Sequence, residues 1–171
     1  MTPKRRSVRL YNVILPLWLL IFFPGAWFLW VIVLGGNFLV DSLVLLIGAR
    51  RLGLENPKEL YKRSILKVYG RGFAADFMGV ILLVLVFFVL SPLSGPLSDL
   101  IAAFVLNPFT HPGALLLTLL AVAESAYFIY DWNHKSFAGL GLTEQRVHKL
   151  CLWLAVFTAP WLFLLPAGLF Y

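Results

Sequence analysis

The sequence predicts an all-α bundle of membrane-spanning helices, and three observations predict it. Of 171 residues, 61% are hydrophobic and only 13% charged, more apolar surface than a water-soluble domain of this size can bury. The stretches 13–49, 77–90, 113–123 and 150–171 carry almost no charge, so hydrocarbon is the expected solvent. The 14 Lys and Arg residues fall in three short segments beside those blocks, the arrangement that orients membrane proteins. The net charge of +6 is therefore topogenic. No nucleic-acid motif accompanies it, and nucleic acid is excluded as a partner.

Residues 1–9 form a basic tail with Lys4, Arg5, Arg6 and Arg9. The next forty residues, 10–49, contain no Lys or Arg. As one helix they would extend ~60 Å, about twice a ~30 Å hydrocarbon core. A single crossing would also place two basic segments on opposite sides. The stretch therefore reads as a hairpin, with spans at 10–23 and 26–49. Pro24–Gly25 is the preferred turn and Gly35–Gly36, the other helix-breaking pair, the alternative; otherwise Gly35–Gly36 kinks the second span. The first apolar run is too long for a signal-peptide core, and Gly25–Ala26 is a poor cleavage site, so it reads as a retained span.

Residues 50–71 hold seven Lys/Arg against two acids. Within them, Asn56–Pro57 predicts a helix start, with Asn56 as side-chain cap and Pro57 at the first helical position. Lys58, Lys62, Arg63 and Lys67 mark one face; Tyr61, Ile65 and Val68 mark the other. This is the pattern of an amphipathic helix on the anionic inner leaflet, or of a solvated linker helix. Gly70 and Gly72 are expected to loosen the chain before a third span at 73–90. Between 91 and 112 the only charge is Asp99. A short apolar helix capped by Ser98–Asp99, running through Leu106 and ended by Asn107–Pro108, would be ~13 Å long, too short to cross, and so interfacial or re-entrant. Spans four and five follow at 113–132 and 149–171, the last bent by Pro160 and Pro166. With the N-terminus inside and the C-terminus outside, five spans put all 14 Lys/Arg on the inner side. Residues 10–171 thus read as one membrane domain, expected in a bacterial cytoplasmic membrane.

Chemistry is sparse. Glu124 lies ten residues from His134, hence ~15 Å deep. Asp41 lies nine residues from Arg50. No Lys or Arg occurs at either depth. Such an acid is protonated and hydrogen-bonded, or lines a wet cavity, or holds a cation or protonatable substrate. Asn37 and Asp41 are i,i+4 on span two. Asp76 shares a face of span three with Gly72 and Gly79, where small residues favour close helix contact, and Arg71 is placed to reach back towards it. Glu124, Tyr127 and Asp131 share a face of span four. If these faces meet, they build a polar pocket opening inward from Glu124, Asp41, Asn37, Asp76 and Tyr127. Otherwise the same residues only bind helix to helix.

His111, His134 and His148 show no metal-ligand spacing, and no metal or cofactor is expected. Phosphate-binding loops, nucleophile elbows and dinucleotide fingerprints are absent, so no catalytic residue is assigned. Cys151 is the single cysteine, which rules out an intrachain disulfide. The expected partners are the bilayer with its anionic inner leaflet, a small ion or small molecule, and a second copy or a partner membrane subunit. Transport (a channel, a carrier or a membrane subunit of a transporter) is the leading expectation, and an assembly or immunity protein the alternative. A reporter fused after Tyr171 is expected to read external and one inserted between Glu55 and Lys58 internal; finding both on one side would overturn the five-span arrangement.

Overall fold

The computed structural model describes residues 27–93, 95 and 97–166, with side chains from Trp30 onward. Five α-helices follow in order: α1 (Trp27–Arg51), α2 (Pro57–Leu90), α3 (Ser98–Leu106), α4 (Pro112–Phe137) and α5 (Glu144–Phe157). Short 3₁₀ turns lie at Ser91–Leu93, Pro108–Thr110, Ala138–Leu140 and Trp161–Leu164. The described residues contain no strand. Four segments are long and apolar enough to cross a membrane: Trp30–Arg51, Pro57–Leu93, Pro112–Leu140 and Glu144–Leu164. Their outer faces carry large apolar side chains such as Phe88 (67% exposed), Val89 and Leu116, a surface matched to lipid rather than water. The expected span at 10–23 and its turn at Pro24–Gly25 lie outside the described residues.

α1 is one uninterrupted helix through Gly35–Gly36 and stops in a way its sequence specifies. Gly53 takes φ +62°, which only glycine adopts without strain. Its N–H then reaches the Arg50 carbonyl at 3.1 Å, and the Leu54 N–H reaches Ala49 at 3.1 Å. These two bonds make a Schellman cap, and the Leu54 side chain buries beside Ala49 to complete it. The chain turns within five residues and re-enters at Pro57.

Asn56 closes the start of α2 with its main-chain oxygen, which accepts from Glu59 and Leu60 at 3.1 Å each. The expected side-chain cap is not made. From there α2 runs 34 residues without interruption. The loosening expected at Gly70 and Gly72 does not interrupt the helix, and the amphipathic helix and third span are one element. An interior glycine costs roughly 1 kcal/mol against alanine, too little to end a helix whose backbone bonds have no other partner in lipid. At ~51 Å, α2 exceeds a hydrocarbon core by ~20 Å, and its surplus is the basic half. Lys58, Lys62, Arg63 and Lys67 are exposed there, Arg63 pairing with Glu59. Ile65 and Val68, on the other side, are buried with Leu45, Leu150 and Leu154. The apolar face of the basic segment is therefore spent on the protein core, and the picture of a helix laid flat on the leaflet is corrected.

α1 packs antiparallel to both α2 and α5, and α4 to both α2 and α5. Every Lys and Arg of the described residues consequently gathers at one end of the bundle or within α2's long basic half. At that end α4 and α5 are tied by Tyr130 Oη to His148 Nδ1 (2.8 Å) and by His134 to Glu144 (2.9 Å). α5 begins five residues before the expected boundary, after Gly141 at φ +70°. At the opposite end α3 ends at Asn107 as expected, but the expected Ser98–Asp99 cap is not made, since Leu97 holds the N-cap position without a side-chain bond; the helix buries Ala103 and Phe104 against Val80, Leu83 and Ala114. His111 caps α4, its Nδ1 accepting from the Gly113 N–H at 3.1 Å.

The α2–α4 interface is the largest between helices, and Gly79 makes it close. A Cβ on Gly79 would lie 3.0 Å from the Ala121 carbonyl oxygen, 3.0 Å from the Phe163 ring, and nearer still to Ser125 Oγ. Gly70 faces open space. Gly79→Ala is expected to lower the thermal midpoint in detergent by roughly 2–10 °C through ~1–3 kcal/mol of overpacking. Gly70→Ala should raise it slightly or leave it unchanged. Equal tolerance at both positions would show that α2 and α4 do not approach so closely.

Candidate functional site

α1 turns a buried face of Asp41, Ser42, Leu45 and Ala49 towards α2 and α5. Asp41 is 4% exposed, and the room for its carboxyl comes from Gly72. A Cβ there would stand 3.3 Å from Asp41 Oδ2. One turn earlier on α1, Asn37 Nδ2 donates to Asp76 Oδ2 at 3.4 Å. The other oxygen of Asp76 is buried with no hydrogen-bond partner among the described residues. Asn37, Asp41 and Asp76 thus share one cavity of about 450 Å³.

Its third wall is the end of α5. The helix stops at Phe157, and Thr158 Oγ1 folds back to donate to the Leu154 carbonyl at 2.9 Å while lying against Asp41. Pro160 has no N–H with which to continue the ladder. The chain instead turns into a 3₁₀ segment, pinned by Trp161 Nε1 donating to the Val156 carbonyl at 2.8 Å. The bend expected at Pro160 is therefore a complete break, and its residues Thr158 and Pro160–Phe163 line the cavity. Irregular backbone at membrane depth is stable where protein or a cavity shields it from lipid, and broken helices beside carboxylates are a recurrent way of building intramembrane sites. Six aromatic residues, Trp30, Phe73, Phe77, Phe157, Trp161 and Phe163, line the cavity together with aliphatic side chains such as Ile32, Val40 and Val80. No Lys, Arg or His is among the described lining residues.

The five residues read from the sequence do not all meet. Asn37, Asp41 and Asp76 do; Glu124 and Tyr127 lie outside the cavity. α4 turns the stripe Thr118, Ala121, Ser125, Ile129 and Asn133 into the bundle. Tyr127, about half a turn away, is 63% exposed and packs edge-on against Phe128. Glu124 sits at the edge of the stripe, with Oε2 buried and unpartnered among the described residues. Asp131 pairs with Lys135 at 2.7 Å. The small-residue face of α2 does make close contacts, Gly72 with α1 and Gly79 with α4. Arg71 does not reach Asp76; no ion pair joins them, and Arg71 Nη1 is buried without a partner among the described residues.

The sequence predicted a pocket opening at the basic end; its lining extends the other way. From Asp41 and Gly72 the cavity runs along α1 towards Trp30 and along α2 towards Val80, away from the Arg50–Arg71 end. The antiparallel α1–α2 register, with Asn37 opposite Asp76, fixes that direction. Among the described residues no three His, Cys, Asp or Glu side chains converge on a metal-sized site. The sequence pointed to the α5 break through Pro160, but not to Thr158, Trp161 or the aromatic wall, whose convergence depends on how three helices pack.

No family model, curated protein or solved structure matches this chain.

The contact between Asn37 and Asp76 is measurable. In a double-mutant cycle of Asn37→Ala and Asp76→Ala, read by reversible unfolding in bicelles, a coupling energy of about 0.6–1.7 kcal/mol is expected for an interhelical hydrogen bond in a membrane. Zero coupling would show that the two side chains do not meet.

Proposed function

We propose that this chain is a small transport-type membrane protein, a channel, a carrier or a membrane subunit of a transporter, that takes a cation or a protonatable substrate at the cavity between α1, α2 and the break after α5. One observation carries the reading: two carboxyl groups, Asp41 and Asp76, share a cavity whose described lining contains no cationic side chain. Each intramembrane acid costs about 2.5–3.5 kcal/mol at a helix centre on insertion scales and more by other estimates. A fold needing only adhesion between α1 and α2 would obtain it from Asn37, Gly72 and apolar packing without that cost. The proposal includes the orientation with the basic end inside, in accord with the positive-inside rule, and a first span at 10–23. The cavity then faces the outer half of the membrane. The basic residues Lys58, Lys62, Arg63 and Lys67 meet the anionic inner surface or a cytosolic partner.

A second reading is favoured by the Asn37–Asp76 hydrogen bond and the tight Gly79–Ser125 contact. In it the chain is an assembly or immunity protein, and its polar residues join helices only.

Flux separates the two. In proteoliposomes carrying an internal pH or cation indicator under an imposed membrane potential, the wild-type chain is expected to admit protons or added cations faster than empty liposomes. Asp41→Asn and Asp76→Asn should each reduce the rate by about tenfold or more, as expected for loss of a charged site group in a low-dielectric setting. The exposed Asp99→Asn should leave it unchanged. Flux that survives both cavity substitutions would overturn the assignment of the site, and wild-type flux no faster than that of empty liposomes would overturn transport and leave the adhesive reading.

A further inference from the structure

We infer that the occupant of this cavity is a protonated amine carried on an apolar or aromatic body, with the ammonium held by Asp41 and Asp76 and the body against the rings of Trp30, Phe73, Phe77 and Trp161. The inference rests on the cation-binding reading above and narrows it to one chemical class.

Size is the first argument. A volume of about 450 Å³ falls within the ~300–1,000 Å³ typical of small-molecule sites, far beyond what a bare ion fills. Donor count is the second. A hard inorganic cation demands about six or more oxygens at ~2.0–2.6 Å, whereas the polar side chains here are two carboxyls, one amide and one hydroxyl. A desolvated inorganic ion would have to complete its shell with main-chain carbonyls or retained water. An ammonium needs only three acceptors. Asp76 spends one oxygen on Asn37 and keeps the other without a donor among the described residues. Asp41, 4% exposed, lines the same space.

The wall is the third argument. Aromatic faces attract organic cations through the ring quadrupole, more strongly when water is excluded. They also bury an apolar body that an inorganic ion lacks. Trp161 is held in place by its own indole hydrogen bond to Val156, and Trp30 is braced against Phe73 with ring centroids 6.5 Å apart. These walls are set before any ligand arrives, which lowers the ordering cost of binding.

The test uses the full-length chain in nanodiscs, with tryptophan fluorescence and calorimetry as readouts. The probes are 2-phenylethylammonium, its neutral isostere 2-phenylethanol, and K⁺ and Na⁺. Saturable binding of the ammonium is expected, at least about tenfold tighter than the alcohol. Asp76→Asn and Asp41→Asn should each weaken it about tenfold or more, and Trp161→Ala by roughly fivefold, the size of a partly desolvated cation–π contact. The comparison of ammonium with alcohol needs no variant, so the inference stays testable even if a substitution fails to fold. Equal binding of the two isosteres, or ammonium binding indifferent to both aspartates, would overturn it. Saturable binding of K⁺ or Na⁺ with no competition from the ammonium would also overturn it, while leaving the cation-transport reading intact. Absence of any cation binding, together with no flux, would remove both.

Discussion

In hydrocarbon, a polar group that is not satisfied within the protein has no solvent to fall back on, and α2 is where this constraint organises the chain. Its 34 residues stay helical through three glycines because breaking the ladder would expose main-chain groups that nothing else could pair. Two of those glycines then let other elements come close. Gly72 admits the Asp41 carboxyl from α1, and Gly79 admits the Ala121–Ser125 ridge of α4 and the Phe163 ring. α1 and α4 are thereby set on different sides of one rod. The position of the cavity follows from that spacing.

The break after α5 is the complementary case. Pro160 removes a donor and ends the ladder, and the Val156 carbonyl it would have paired is recovered by the Trp161 indole, while the Leu154 carbonyl keeps its helical bond to the Thr158 main chain and gains the Thr158 hydroxyl. The recovered turn does more than close a helix end. It swings Trp161 and Phe163 beside Asp41 and Asp76, so a backbone defect becomes the aromatic wall of an acidic site. Stability and site are coupled there, since whatever holds Trp161 to Val156 also shapes the space the carboxyls face.

Much of this was legible along the chain. Pro57, Ser98, Asn107–Pro108 and Pro160 act through main-chain geometry within a few residues, and each marks a real boundary. Asn37, Asp41 and Asp76 stood out because a carboxyl or amide in an apolar run is costly wherever the helix faces. The misreadings have one physical root. Gly70 and Gly72 looked like a loosening of the chain because helix propensity is scaled to water, where a broken ladder is solvated; in lipid it is not. Ile65 and Val68 looked like a leaflet-facing stripe because periodicity reveals that a face is apolar but not what covers it. Glu124 drew attention by depth, yet its place depends on the rotation of α4, which Ala121, Ser125, Ile129 and Asn133 decide by packing.

The sequence by itself determined the solvent, the helical class, the starts and stops of most helices and the gathering of positive charge at one end, because these follow from composition and from interactions spanning four or five residues. Only the tertiary structure decided which polar residues meet, towards which end of the bundle their cavity extends and that aromatic rings help to line it. Those outcomes depend on the rotation and register of helices far apart in the chain. Register here is set by single contacts such as Gly72 on Asp41 and Asn37 on Asp76, which a one-dimensional pattern of apolar and polar residues does not encode.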